Sequence, residues 1–189
     1  VSVVISFFLL RSGLIPGIGG KAETNPNIFL SSCLESKIRE GIGIISIQGG
    51  YIENPLNKAF KFEAEKSPVN ISYLCYNQND FLHCIPQEPM LIQHLKEEIK
   101  NYISKDVENC FNQFTSSLEK QGYAVDASYR GFDINLTEGK ININVDAGIT
   151  STKSGETSKQ ENFKFNILSK FYDLALVVQE IVNTEAIAG

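Results

Sequence analysis

The chain reads as an α+β domain in which amphipathic helices pack on an antiparallel β-meander, preceded by the C-terminal part of a transmembrane helix. Three features point there. Apolar residues recur every three or four positions in the first and middle stretches, the period of one helix face. From Tyr123 onward they recur every second position, the period of strands with one buried face. The chain also opens on an apolar run, Val1 to Leu10 interrupted only by Ser2 and Ser6, with Arg11 directly after it.

That opening run is about half of the roughly 20 apolar residues a membrane-crossing helix needs. A β-branched strand through Val1, Val3, Val4 and Ile5 competes with that reading, as does a cleaved signal peptide, but Arg11 stands where small cleavage-site residues are expected. Residues 1–11 are therefore expected to be the end of an anchor whose first half is missing. Residues 12–25 follow as a spacer, because Gly13, Pro16, Gly17, Gly19 and Gly20 stop a helix. No Lys-Ser/Thr pair follows these glycines, so they are not a phosphate-binding loop. An extracytoplasmic domain is expected over 26–189.

Asn25-Pro26 is a helix start: Asn25 can cap free amides and Pro26 costs nothing in the first turn. Leu30, Cys33, Leu34, Ile38, Ile42 and Ile45 then share a face, Gly41 and Gly43 weaken the helix, and Gly49-Gly50 ends it. Phe60, Phe62 and Ala64, then Val69, Ile71, Tyr73 and Cys75, alternate as a hairpin candidate around Ser67-Pro68. Tyr76 to Glu88 reads as a loop. Leu91, Leu95, Ile99, Tyr102 and Ile103, followed by Val107, Cys110, Phe111, Phe114 and Leu118, predict one helix bent near Ser104 or a pair, closed at Gly122. Four short strands are expected after it, with turns at Arg130-Gly131, Glu138-Gly139 and Ser154-Gly155. A last helix from about Ser169 carries Leu174, Val177, Val178, Ile181 and Val182 as its apolar stripe and runs to Gly189 without a stop signal, so more chain is expected beyond.

At 189 residues and 42% hydrophobic content the chain suits one domain with a full core. Its net charge of −5 lacks the basic footprint that nucleic-acid binding requires.

Four cysteines permit three pairings. Cys33 and Cys110 each lie on a helix stripe, and Cys75 ends a strand just before Cys84, so Cys33–Cys110 and Cys75–Cys84 are the expected disulfides. In a chain-entropy account the short loop contributes about 3 kcal/mol and the long one about 4–5 kcal/mol. Asn70-Ile71-Ser72 and Asn135-Leu136-Thr137 match the N-glycosylation triplet, and alternation turns Asn70 and Asn135 toward solvent.

Catalytic and metal-binding patterns are weak. Cys75, His83 and Cys84 lack paired zinc-ligand spacing. His94 lies near Glu97 and Glu98 on a helix, as a solvated face often arranges them. No metal, cofactor or catalytic site is assigned. Tyr51, Tyr73 and Tyr76 are candidates for a contact surface.

Several segments together resemble a group of uncharacterised single-anchor proteins from small-genome archaea of the DPANN assemblage. They are Phe7-Phe8-Leu9-Leu10-Arg11, Ser32-Cys33-Leu34-Glu35, Gln48-Gly49-Gly50-Tyr51-Ile52, Tyr73-Leu74-Cys75-Tyr76, Gln87-Glu88-Pro89-Met90, Gly155-Glu156-Thr157, Tyr172-Asp173-Leu174 and Gln179-Glu180-Ile181-Val182-Asn183. In such proteins a full membrane span, beginning with a Gly-Gln segment similar to archaeal pilin-type secretion signals, precedes the equivalent of Val1. Their chains also continue past the equivalent of Gly189. The resemblance implies a cell-surface placement and carries no biochemical role.

The expected function is that of a membrane-tethered surface module with a structural, adhesive or protein-binding role, its partners being the membrane and another surface protein. Two alternatives stand beside it. One is a pilin-like filament subunit, which Pro16 to Gly20 disfavour by interrupting a long helix. The other is a surface hydrolase or metal-dependent enzyme built on His94.

Overall fold

A computed structural model describes residues 24–53, 58–61, 63, 66–77, 79 and 82–188. The opening apolar run, the spacer as far as Glu23, and Phe62 and Ala64 lie outside the described residues. Among the described residues the fold is α+β, with three helices and antiparallel sheets.

Helix α1, Pro26–Gln48, starts as its sequence dictates, with the Asn25 side chain accepting from the amides of Asn27 at 2.9 Å and Ile28 at 3.4 Å. It passes through Gly41 and Gly43 without a break, because Leu30, Leu34, Ile38, Gly41 and Ile45 are all buried against neighbours that hold the helix together. Gly49 closes it in the left-handed region, at φ 74°. A Cβ at Gly49 would stand 2.2 Å from the Ser72 carbonyl oxygen, so the end of α1 is glycine both for its conformation and for room.

Helix α2, Leu91–Lys120, is one continuous rod of 30 residues. Its first turn lacks a side-chain cap of its own, and Gln179 from a later helix accepts from the Leu91 amide at 3.0 Å. The two helices run antiparallel: Phe29 stacks near Phe114, Cys33 is bonded to Cys110, and the Gly41 backbone fits against the Tyr102 ring.

Between them lie two short ladders. Strands β1, Lys58–Phe60, and β2, Val69–Ile71, pair antiparallel, whereas β3, Cys75–Tyr76, pairs with β4, Ile85–Pro86. Cys75 thus begins a second ladder where the sequence suggested the end of the first. The supposed loop after it is drawn shut by the Cys75–Cys84 bond.

The meander has three long strands in place of four short ones: β5, Ala124–Thr137, β6, Lys140–Lys153, and β7, Glu156–Leu168, in the order β5-β6-β7. Arg130-Gly131, expected to be a turn, is a bulge inside β5. The extra residue changes which parity faces inward, from Val125 and Tyr129 to Phe132, Ile134 and Leu136, so one strand keeps its apolar side on the helices throughout. Gly131 accommodates this with φ 134°. The turns at Glu138-Gly139 and Ser154-Gly155 stand where expected.

The core lies between this sheet and the α1–α2 pair: Ile134, Ile141, Ile143, Val145, Phe163 and Phe165 face Leu34, Ile38, Ile99, Ile103, Phe111 and Phe114. The outer edges are guarded. Asn27 accepts from the Lys164 amide of β7 at 3.2 Å, while Lys96 and Lys100 reach Asp133 of β5. Burial pushes the Asp133 carboxyl up, and the two ammonium groups outweigh that and hold it below its usual value. Helix α3, Phe171–Ala188, closes one end of the layer and buries Phe171, Ala175 and Val182.

The two internal glycines of α1 differ in surroundings and so in expected response. Nothing lies within 4 Å of a Cβ at exposed Gly43, so Gly43→Ala should raise stability by about 0.5–1 kcal/mol in urea unfolding. At Gly41 the Tyr102 Cδ1 would be 2.8 Å away, so Gly41→Leu should lower stability by about 1–3 kcal/mol in the same measurement.

Candidate functional site: the open face of the last helix

Helix α3 stands where the sequence places it, and the way its apolar residues are distributed bears on function. Leu174, Val177 and Ile181 belong to the apolar stripe read from the sequence, and they are 63%, 54% and 55% exposed. The buried face is Phe171, Ala175 and Val182, which lies about a quarter-turn away at 3.6 residues per turn. Leu176 and Ile187 are also exposed, so the helix is apolar nearly all round while touching the body along one side only.

Leu174 and Val177 of the exposed stripe help form one wall of a groove of about 340 Å³. The other walls come from the last turn of α1 and the first turns of α2. Ile45, Leu74, Leu91 and Leu95 line it with Phe171, Leu174, Ala175, Val177 and Val178, and Ser46, Gly49 and Gly50 supply its few polar atoms. The groove exists because α1 must end at Gly49-Gly50 and α2 starts at Leu91, leaving α3 to meet both at their tips.

Next to α3 lies the cystine-closed β3–β4 ladder. Tyr73, Tyr76, Leu82 and Ile85 are exposed around it, and the Tyr73 and Tyr76 rings lie 6.5 Å apart. Two of the three tyrosines singled out from the sequence therefore face solvent. Apolar surface gathered at one end of a small domain, as opposed to scattered singly, marks an interaction site.

Tyr51 has a different role. Its hydroxyl donates to Glu88, and its ring lies 4.4 Å from that of His94. The His94 Nε2 is 2.9 Å from the Gly50 carbonyl oxygen, and Nδ1 is 3.8 Å from Glu88. Glu98 accepts from the Ile52 amide at 2.8 Å, whereas Glu97 bonds Gln93. The structure thus brings His94 to Glu88, and the Glu97 and Glu98 of the sequence pattern go elsewhere. The cluster fastens the turn after α1 onto α2. Burial first, then the bond to Glu88, push the Tyr51 phenol up to about 12.

Among the described residues no group of three or more His, Cys, Asp or Glu could hold a metal ion. The sulfurs of Cys75 and Cys84 are bonded to each other, with exposed His83 beside them. Cys33 and Cys110 are likewise bonded, with an S–S distance of 1.93 Å. Asn70 on β2 and Asn135 on β5 are exposed, although Ser72 of the first triplet is buried. Thr137 of the second accepts from Asn142 at 2.9 Å.

No family model, curated protein or solved structure matches the chain.

The Tyr51 cluster yields a pH test. A phenol whose folded pKa is raised contributes stability that is intact below the unfolded value of about 10 and is lost as pH rises through about 12. The melting temperature should therefore fall between these pH values, and Tyr51→Phe should flatten part of that fall. The Tyr129 phenol, raised by burial and by Glu108, should account for a further part.

Proposed function

We propose that this chain is the folded ectodomain of a single-pass, membrane-anchored cell-surface protein that holds another surface protein against the open face of α3. The observation that carries the binding role is the stripe of Leu174, Val177 and Ile181 left in solvent beside an apolar groove. An isolated domain gains nothing from such a stripe, while a bound protein would remove it from water at about 25 cal/mol per Å².

Placement outside the cytoplasm is supported by the two cysteine pairs, which suit an oxidising compartment, and by exposed asparagines at both glycosylation triplets. The apolar opening run and the resemblance to DPANN surface proteins agree with it. Among the described residues no helix is long and apolar enough to cross a membrane, so the tether of this proposal is the segment before Ser12. His94 and its carboxylate neighbours act as a structural fastening in this reading, and no catalytic step is assigned to them.

Two measurements test the placement. The native protein should remain with membranes through alkaline carbonate extraction and be digested by protease added to intact cells; recovery from the cytosol would overturn the proposal. Peptide mapping without reductant should link Cys33 to Cys110 and Cys75 to Cys84, and free thiols at all four positions would count equally against it. For the binding role, a photo-crosslinker at Val177 should capture a discrete surface protein in native cells, whereas one at exposed Glu119 should not. Leu174→Asp with Ile181→Asp should cut that capture about tenfold or more.

A further inference from the structure

We propose that the occupant of the α3 groove is a cationic amphipathic helix of the partner protein, its apolar side in the groove and its lysines or arginines along the acidic margins of α3. This rests on the reading of α3 as a protein-binding face and adds the chemistry of what binds there. Three observations carry it: the spacing of the exposed side chains, the placement of charge around them, and the composition of the opposite wall.

Leu174, Val177 and Ile181 stand at i, i+3 and i+7, a ridge that meets another helix lengthwise. The groove beside the ridge, about 340 Å³, is bounded by Ile45, Leu74 and Leu95 and suits one row of helix side chains.

Charge then selects the kind of helix. At 3.6 residues per turn Glu180 falls on one side of the ridge and Glu185 on the other, and both are exposed. The third acid of α3, Asp173, is half-buried, accepts from the Gly139 amide, and has the Lys170 ammonium 3.6 Å away. Helix α3 contains no lysine or arginine, and residues 41–48 of the facing wall contain no charged side chain at all. Among the described residues no ion pair engages Glu180 or Glu185, so the ridge is flanked by negative charge on both sides.

This pattern discriminates among occupants. A second copy docked ridge to ridge would bring two more glutamates to the margins and no lysine or arginine from its own α3, adding like charge that disfavours pairing. An anionic bilayer surface attracts basic segments and is repelled by an acidic one. A helix carrying lysine or arginine beside its apolar stripe satisfies both margins at once, and the attraction also speeds encounter.

The test uses the full disulfide-bonded chain and two labelled peptides about 15–20 residues long, both with leucine at i, i+3, i+4 and i+7, one filled with lysine and the other with glutamate. Fluorescence anisotropy at about 0.15 M salt should show the lysine peptide binding at least about tenfold more tightly than the glutamate peptide. Glu180→Lys with Glu185→Lys should abolish or reverse that preference, the milder Glu180→Gln with Glu185→Gln should reduce it, and Ile181→Asp should remove binding of both peptides. Both glutamates are exposed, so unchanged thermal melting will confirm that the variants fold.

Equal binding of the two peptides, or a preference indifferent to the glutamate changes, would overturn the proposal. So would dimerisation in sedimentation that Ile181→Asp abolishes, or binding of wild-type chain to phosphatidylserine vesicles through the same residue. If Val177 crosslinks a surface protein in cells and the peptide preference is absent, only the cationic assignment fails. If Val177 crosslinks nothing, the binding face itself is refuted.

Discussion

The β5–β6–β7 sheet has one face of isoleucine, valine and phenylalanine and one of asparagine, aspartate, lysine and threonine, and the apolar face must be covered by something. That single requirement organises the molecule. It accounts for the antiparallel pairing of α1 and α2, because neither helix alone is wide enough to cover the buried part of all three strands, and it leaves the first half of β7, residues 156–162, in solvent. It also explains the β5 bulge. A strand long enough to match α2 can keep its apolar side inward only if its parity is corrected where the sequence pattern slips at Arg130. The Cys33–Cys110 bond then joins the two covering helices at the place where both stripes already meet.

What could be read in the sequence follows from which signals are local. Helix starts and stops written in single residues, Asn25-Pro26, Gly49 and Gly122, stand where the sequence places them, as do the tight turns at Gly139 and Gly155. The cysteine pairing was legible because each residue carried its own geometric address, two on helix stripes and two beside a strand end. The bulge was not legible. Arg-Gly signals a turn as readily as an extra residue in a strand, and only the cross-strand register on β6 distinguishes them. Continuity of α2 through Ser104 was equally a tertiary matter, decided by the unbroken burial of Ile99, Ile103 and Val107.

The candidate binding face illustrates the limit of periodicity. The apolar residues of α3 were visible, but not which of them the fold would bury: Val182 is covered, while Leu174, Val177 and Ile181 are not. Periodicity reports that a helix has an apolar side without reporting whether the protein has anything to set against it. A usable signal was nonetheless present: Leu174, Leu176, Val177, Ile181 and Ile187 are spread around more of the helix than one sheet edge can cover. The Tyr51–Glu88–His94 cluster shows the converse. Residues that look chemically suggestive in a list are, in three dimensions, fastening a turn.

The position of the Cys33–Cys110 bond has a mechanical meaning as well as a thermodynamic one. Tension drawn through Thr24 enters the fold at Pro26 and can peel only about two turns of α1 before it meets a covalent link to α2. Beyond that point the strain is shared between two rods lying across a sheet. The far end of α1, where Gly49 and Gly50 border the apolar groove, is thereby insulated from whatever tugs on the entry to the domain, and its shape can persist under a pull on Thr24.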